Sequence, residues 1–203
     1  MCFHSKQTKS AQELKNRFNA TFEKEDYFLP DEDVNGFTFP ATPIITNTEP
    51  NKIQLFSWGL LPSWATDMTF RKNTLNAKIE TIKEKPSFRQ SVNNRCLIPV
   101  DGFYEWQWLD DKGKKKQKYL LALPNNELFC FAGIWNNWVD KSTGEIISTY
   151  TILTTEANAL MAKIHNSKKR MPVLINKANE ENWLMGKEII NNALDLEAIK
   201  IIR

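Results

Sequence analysis

Cys2 is the residue whose place in the chain opens an unusual chemistry. Methionine aminopeptidases generally remove Met1 when the next residue is small, and cysteine qualifies. The chain would then begin with a thiol and a free α-amine on adjacent carbons. Their ordinary pKa values, about 8.5 and about 7.7–8.0, leave both usable near pH 7. An aldehyde forms a Schiff base with such an amine, and the thiol can then close a five-membered thiazolidine ring. An internal cysteine cannot do this. The plain alternative is that Cys2 merely follows the start codon.

Three other polar residues could assist. Glu105 lies in Phe103-Tyr104-Glu105-Trp106, and strand alternation puts it on one face with Phe103 and Gln107. A carboxylate among aromatics has its pKa raised by desolvation, which suits acid/base work; a solvated strand position is the alternative. His165 is one of two histidines and closes a predicted helix. It could move protons near neutral pH or simply complement the helix dipole. Asn76 could be a turn residue or a carboxamide donor steadying a thiolate or an oxyanion.

Binding residues are less specific. Trp64, beyond Pro62, is the more exposed of the aromatic turn Trp58 to Trp64 and could stack on a base. Five lysines lie between Lys112 and Lys118 and read as a solvated hairpin tip. Lys168-Lys169-Arg170 lies just after His165, better placed to hold a phosphate backbone.

These residues need elements to position them. Ser10-Ala11-Gln12-Glu13 is a capping box that predicts a helix through about Phe18. Strands are expected at Ile44–Thr46, Lys52–Trp58, Arg95–Trp108, Tyr119–Leu123, Leu128–Trp135, Ile146–Thr154 and Met171–Ile175. Turns fall at Asp110–Gly113 and Lys141–Gly144. The prolines of Phe39-Pro40-Ala41-Thr42-Pro43 should hold their predecessors extended. Residues 65–74 read as an exposed loop. Further helices are expected from Pro86, from a Thr155 cap to Ile164, from Asn176 to Leu184, and in the tail to Arg203, which also has room for a short strand. The pattern predicts one α+β domain over residues 1–203: a mixed, mostly antiparallel, curled or barrel-like sheet with peripheral helices.

Composition narrows the classes. The chain has 203 residues, 41% hydrophobic and 25% charged, ordinary for a globular protein. A net charge of +3 permits a nucleic-acid partner without arguing for one. Cys2, Cys96 and Cys130 are odd in number and widely spaced, which speaks against a disulfide framework or a structural zinc site. No signal-peptide pattern and no long apolar run occurs, so a cytoplasmic protein without a membrane partner is expected. No metal or cofactor is expected, and a monomer is.

Together the stretches resemble the SRAP (SOS response-associated peptidase) family, whose members shield abasic sites in single-stranded DNA covalently. The resemblance rests on Met1-Cys2, Trp58-Gly59-Leu60-Leu61-Pro62-Ser63-Trp64, Asn76-Ala77-Lys78-Ile79-Glu80-Thr81, Gly102-Phe103-Tyr104-Glu105-Trp106, and His165 followed by Arg170-Met171-Pro172. It implies the SRAP fold and a crosslinking, lyase-like activity; autopeptidase removal of Met1 belongs to the alternative peptidase reading. It implies that Cys2 forms a thiazolidine with the ring-opened sugar, beside Asn76. Glu105 would assist Schiff-base formation, and His165 would move protons in sugar opening and reversal. Lys78 and Arg170 fall where relatives place phosphate-contacting arginines. Trp64 and Pro40 fall where they contact flanking bases. The partner would be single-stranded DNA with abasic sites, which in a bacterium implies a nucleoid association.

The departures are local. Cys2-Phe3-His4 stands where Cys-Gly-Arg is common, so His4 replaces a backbone-contacting arginine. Lys78 replaces another, giving up bidentate geometry. Asn166 to Lys169 separate His165 from Arg170, where many members have a single residue. Two other classes remain open: a thiol or N-terminal-nucleophile peptidase using Cys2, His165 and Asn76, and a non-covalent single-strand-binding module.

Overall fold

A computed structural model describes residues 2–187 and 194–202. Its elements in order are β1 (His4–Gln7), α1 (Ala11–Phe18), β2 (Thr21–Phe22), β3 (Asp31–Asn35), β4 (Ala41–Thr46), β5 (Lys52–Trp58), β6 (Asn76–Lys78), β7 (Arg95–Val100), β8 (Gly102–Trp108), β9 (Lys116–Ala122), β10 (Phe129–Val139), β11 (Ile146–Glu156), α2 (Ala159–Ile164), β12 (Arg170–Pro172), β13 (Leu174–Ile175), α3 (Glu180–Leu184) and β14 (Glu197–Lys200).

Five strands close a barrel in the order β11-β10-β7-β4-β5, because β5 pairs back onto β11 through Ser57 opposite Thr149 and Trp58 opposite Tyr150. The closing contacts are parallel and the other four antiparallel. The interior explains the closure. Trp58, Tyr150, Phe131, Ile44 and Ile98 are buried together, and the Trp58 indole donates to the Leu75 carbonyl at 2.8 Å. A second sheet, β14-β9-β8-β1-β3, packs on the barrel. Its Phe103 and Leu121 enter the same core cluster, and so does Cys2. The fold is the expected α+β arrangement with a curled sheet.

The apolar run Arg95–Trp108 was expected to be one strand, but it divides at Asp101 between the barrel and the second sheet. The cause is local. Asp101 is fully buried; it accepts from Lys6 Nζ at 2.6 Å and from the Thr8 amide at 2.8 Å. Lys6 also donates to Asn126 at 2.9 Å. These bonds turn the chain and fasten β1 beside β8.

Other local readings shift. The capping box holds, with the Ser10 amide donating to Glu13 at 2.8 Å. The second helix starts later than Thr155, because β11 continues to Glu156 opposite Arg170 and Asn158 caps Met161 instead. No helix starts at Pro86. Residues 80–93 make successive turns, and the Pro86–Arg89 segment offers only Phe88 for burial. Residues 68–73 of the expected loop form a 3-10 turn capped by Asp67. Phe39 is not extended before Pro40: its φ is 54°, held by its amide bond to Gly36 and by the Arg71 guanidinium 4.4 Å from its ring. Met171–Ile175 splits into β12 and β13, pairing with β11 and β10. The tail helix falls partly on residues outside those described; β14 is the tail's described strand. Among the described residues no helix is long and apolar enough to cross a membrane.

Candidate active site

Cys2 lies just ahead of β1, whose neighbours are β8 and β3. It is fully buried. Its carbonyl accepts from Asn76 Nδ2 at 2.9 Å, and its thiol lies 3.6 Å from the His4 carbonyl. Asn76 opens β6, a short strand parallel to β11, so the barrel fixes the carboxamide that holds the Cys2 backbone. Asn76 Oδ1 is buried with no hydrogen-bond partner among the described residues. Burial, then the nearby Glu105 charge, pushes the Cys2 thiol far above its ordinary range; the amino-terminal charge and the His4 backbone oppose this. Met1 lies outside the described residues.

Burial along β8 does not alternate: Phe103, Tyr104 and Glu105 are all buried, and Gln107 donates to the Lys163 carbonyl under α2 at 3.0 Å. Only 4% of Glu105 is exposed. Burial raises its pKa from the ordinary 4.5 to about 7, against the pull of the amino-terminal charge. His165 caps α2 and is 6% exposed. Burial, joined by the amino-terminal charge, lowers its pKa, and a bond to the Arg170 backbone partly opposes this. Thus one acid is held closer to neutrality and one base is kept uncharged in the same place.

Glu105 and His165 line one cleft of about 310 Å³ with Phe3, His4, Phe37, Trp106, Trp108, Lys116 and Ser167. His4 Nδ1 donates to Asp33 Oδ1 at 2.6 Å, and its ring meets the Trp106 edge at 4.9 Å. Lys118 donates to the other Asp33 oxygen at 2.6 Å and sits 3.9 Å from the Tyr104 ring centroid. Asp110 ties down the amides of Lys112, Lys114 and Lys115 at the hairpin tip. Lys116 and Lys118 instead lie along β9, over Trp108 and Tyr104. The lysine run is therefore a solvated tip with a shaft laid on aromatic rings.

The outer residues are dispersed. Lys78 is exposed at the end of β6, opposite Thr154. Arg170 lies across β11 from it on β12, but its guanidinium pairs with both Glu80 oxygens, at 3.0 and 2.8 Å. Trp64 is 46% exposed, edge-on to Phe70, and donates to the Pro86 carbonyl at 3.3 Å. Neither Trp64 nor half-buried Pro40 lines the Glu105–His165 cleft. Trp108, Lys116, Phe37, Ser167 and Asp33 escaped the sequence reading. Alternation along β8 and β9 signals Lys116; Asp33 and Phe37 reach the site only through the pairing of β3 with β1. Among the described residues no group of three or more His, Cys, Asp or Glu could hold a metal ion.

Residues 1–199 match the family model described as SOS response associated peptidase. The chain is 39% identical over 169 residues to the abasic site processing protein YoqW of Bacillus subtilis, covering 80% of this chain and 72% of that one. It is 32% identical to the abasic site processing protein HMCES of Gallus gallus, of which it spans 48%. A crystal structure of a protein from Bacteroides thetaiotaomicron superposes with a TM-score of 0.86 at 33% identity, over 99% of this chain and 92% of that one. With a matching family model over nearly all its length and its fold reproduced in a relative, the chain belongs to the SRAP family.

Proposed function

We propose that this protein processes abasic sites in single-stranded DNA, and that it captures them as a thiazolidine through Cys2 once Met1 is removed. The observation that carries this reading is the convergence on one place. Asn76 holds the Cys2 carbonyl, and Glu105 and His165, shifted in opposite directions, line the adjoining cleft. The names of the curated relatives supply the substrate class.

The sugar at an abasic site is mostly a closed hemiacetal. Neutral His165 takes the anomeric hydroxyl proton while protonated Glu105 gives one to the ring oxygen, which frees the aldehyde. The Cys2 amine adds to the carbonyl carbon; the proton His165 took passes to the new alkoxide oxygen, and Glu105 regains its proton from the nitrogen. Protonated Glu105 helps the carbinolamine lose water, leaving the imine. The thiol then adds across the C=N bond; the sulfur–carbon bond forms and the thiol proton ends on nitrogen. One water is lost in all. His165 assists the reverse steps. Lys78, His4, Trp64 and Pro40 are assigned to the flanking strand.

The raised Cys2 thiol weighs against a peptidase, which attacks first as a thiolate. Imine capture begins with the amine and asks for the sulfur only afterwards.

The test is denaturing electrophoresis with intact-mass analysis after mixing with an abasic single-stranded oligonucleotide. The wild type should give an adduct equal to protein plus DNA minus one water. Cys2→Ala should keep its fold and some DNA affinity and give no such adduct. A stable adduct at wild-type yield in Cys2→Ala would sink the proposal. Turnover of peptides, with Met1 retained in Cys2→Ala, would point to the peptidase. Equal affinity for intact and abasic strands, with steep salt dependence and no adduct, would point to simple strand binding.

A further inference from the structure

Both terminal nitrogens of the Arg170 guanidinium are occupied, while its Nε is buried with no hydrogen-bond partner among the described residues. Two nitrogens reach the two Glu80 oxygens, and one of them also donates to the Thr154 carbonyl at 2.7 Å. Its side chain is 11% exposed. A guanidinium used this way is a structural fork rather than a waiting phosphate ligand. Its backbone meets the proposed proton carrier. His165 Nδ1 lies 2.7 Å from the Arg170 carbonyl and 3.2 Å from its amide. With Nδ1 donating along the shorter contact, Nε2 is the nitrogen that carries the lone pair.

The short loop between them is pinned at its other end as well. The Asn166 carboxamide accepts from the Trp108 amide at 3.0 Å and donates to the Trp108 carbonyl at 2.9 Å, as another strand would. That ties the residue after His165 to β8, the strand that carries Glu105. Lys169, at φ 49°, brings the chain back with its amide on the His165 carbonyl.

We infer that Glu80 and Arg170 are positioning residues for His165: their ion pair fixes the backbone that sets the imidazole's tautomer and aim. This rests on the proposed role of His165 and extends it to the Asn76–Thr81 segment. One short stretch then steadies both partners, Asn76 holding Cys2 and Glu80 holding the His165 loop.

The test uses Glu80→Gln and Arg170→Lys in the full chain. Only two histidines are present, so NMR of the imidazole nitrogens reports the His165 tautomer and titration without DNA. Both variants should move the His165 titration toward that of an ordinary histidine and mix its tautomers. Both should slow adduct formation or reversal roughly tenfold. Affinity for an intact single strand should stay within about twofold, since neither side chain is assigned to phosphate. Unchanged histidine spectra with weakened strand binding in Arg170→Lys would overturn the inference and return Arg170 to the phosphates. Unchanged spectra and rates would overturn it too. If the spectra shift while the wild type forms no adduct at all, the positioning stands and the covalent reading falls.

Discussion

Burial acts on Glu105 and His165 in opposite senses because one is charged when deprotonated and the other when protonated. The consequence for Glu105 is a pH-dependent stability. Its folded pKa of about 7 lies above the ordinary 4.5. Its contribution is therefore whole below pH 4.5 and is lost as pH rises through 7. The loss is on the order of 3 kcal/mol for a shift of this size. Glu105→Gln has no such loss, so its stability relative to wild type should improve between pH 4.5 and pH 8. Urea denaturation at several pH values measures this, and a constant difference would remove the buried-carboxylate argument. In the same variant the adduct should form more slowly. At this scale the sequence was informative for Cys2, Asn76, Glu105 and His165, since each sits in a distinctive motif. It was silent on Arg170's commitment to Glu80: the two are 90 positions apart, and only the pairing of β11 with both β6 and β12 brings them together.

Among the elements, β1 depends most on a single buried pair. Lys6 and Asp101 fasten it at the point where β7 gives way to β8. Asp101→Ala leaves the buried Lys6 ammonium with only the exposed Glu32 carboxylate, 3.9 Å away, as a counter-charge and should cost roughly 3–5 kcal/mol. Replacing both with apolar residues should recover most of that in chemical denaturation. Recovery no better than Asp101→Ala alone would mean that Lys6 is not the group left stranded. The division at Asp101 was hidden from the sequence because period and hydrophobicity continue across it. A strand that changes sheets keeps its alternation, and one buried carboxylate is a weak signal among thirteen apolar and polar neighbours that read as one run. The late start of α2 has a similar cause. Thr155 and Asn158 can both cap a helix, and the choice is made by Arg170 pairing with Glu156.

The whole molecule joins a closed barrel to an open sheet. Closure leaves the five barrel strands without a free edge, while the second sheet ends in β14 and β3. Amide hydrogen exchange should be slowest in β10 and β11 and much faster in β14. Comparable protection of β14 and β10 would contradict this ordering. Gly133 lies within the slow region: a Cβ there would meet Ile98 at 2.5 Å and the Thr151 carbonyl at 2.9 Å, so Gly133→Ala should destabilise the barrel by roughly 1–3 kcal/mol. The fold class was legible from strand spacing and turn residues. Closure was not, since the β5 to β11 contact is parallel, long-range and only two residues wide.

Cys2 leads directly into β1, and β1 is an interior strand with β8 on one side and β3 on the other. That placement has a mechanical meaning. A force pulling on Cys2 along the strand axis loads the hydrogen bonds on both flanks of β1 together, in shear. It does not peel them apart one at a time, as it would at a free edge. At the far end the Lys6–Asp101 pair resists the strand's withdrawal. On the proposed capture, a lesion tethered at Cys2 would thus be moored to a strand braced on both flanks, a shear joint instead of a zipper.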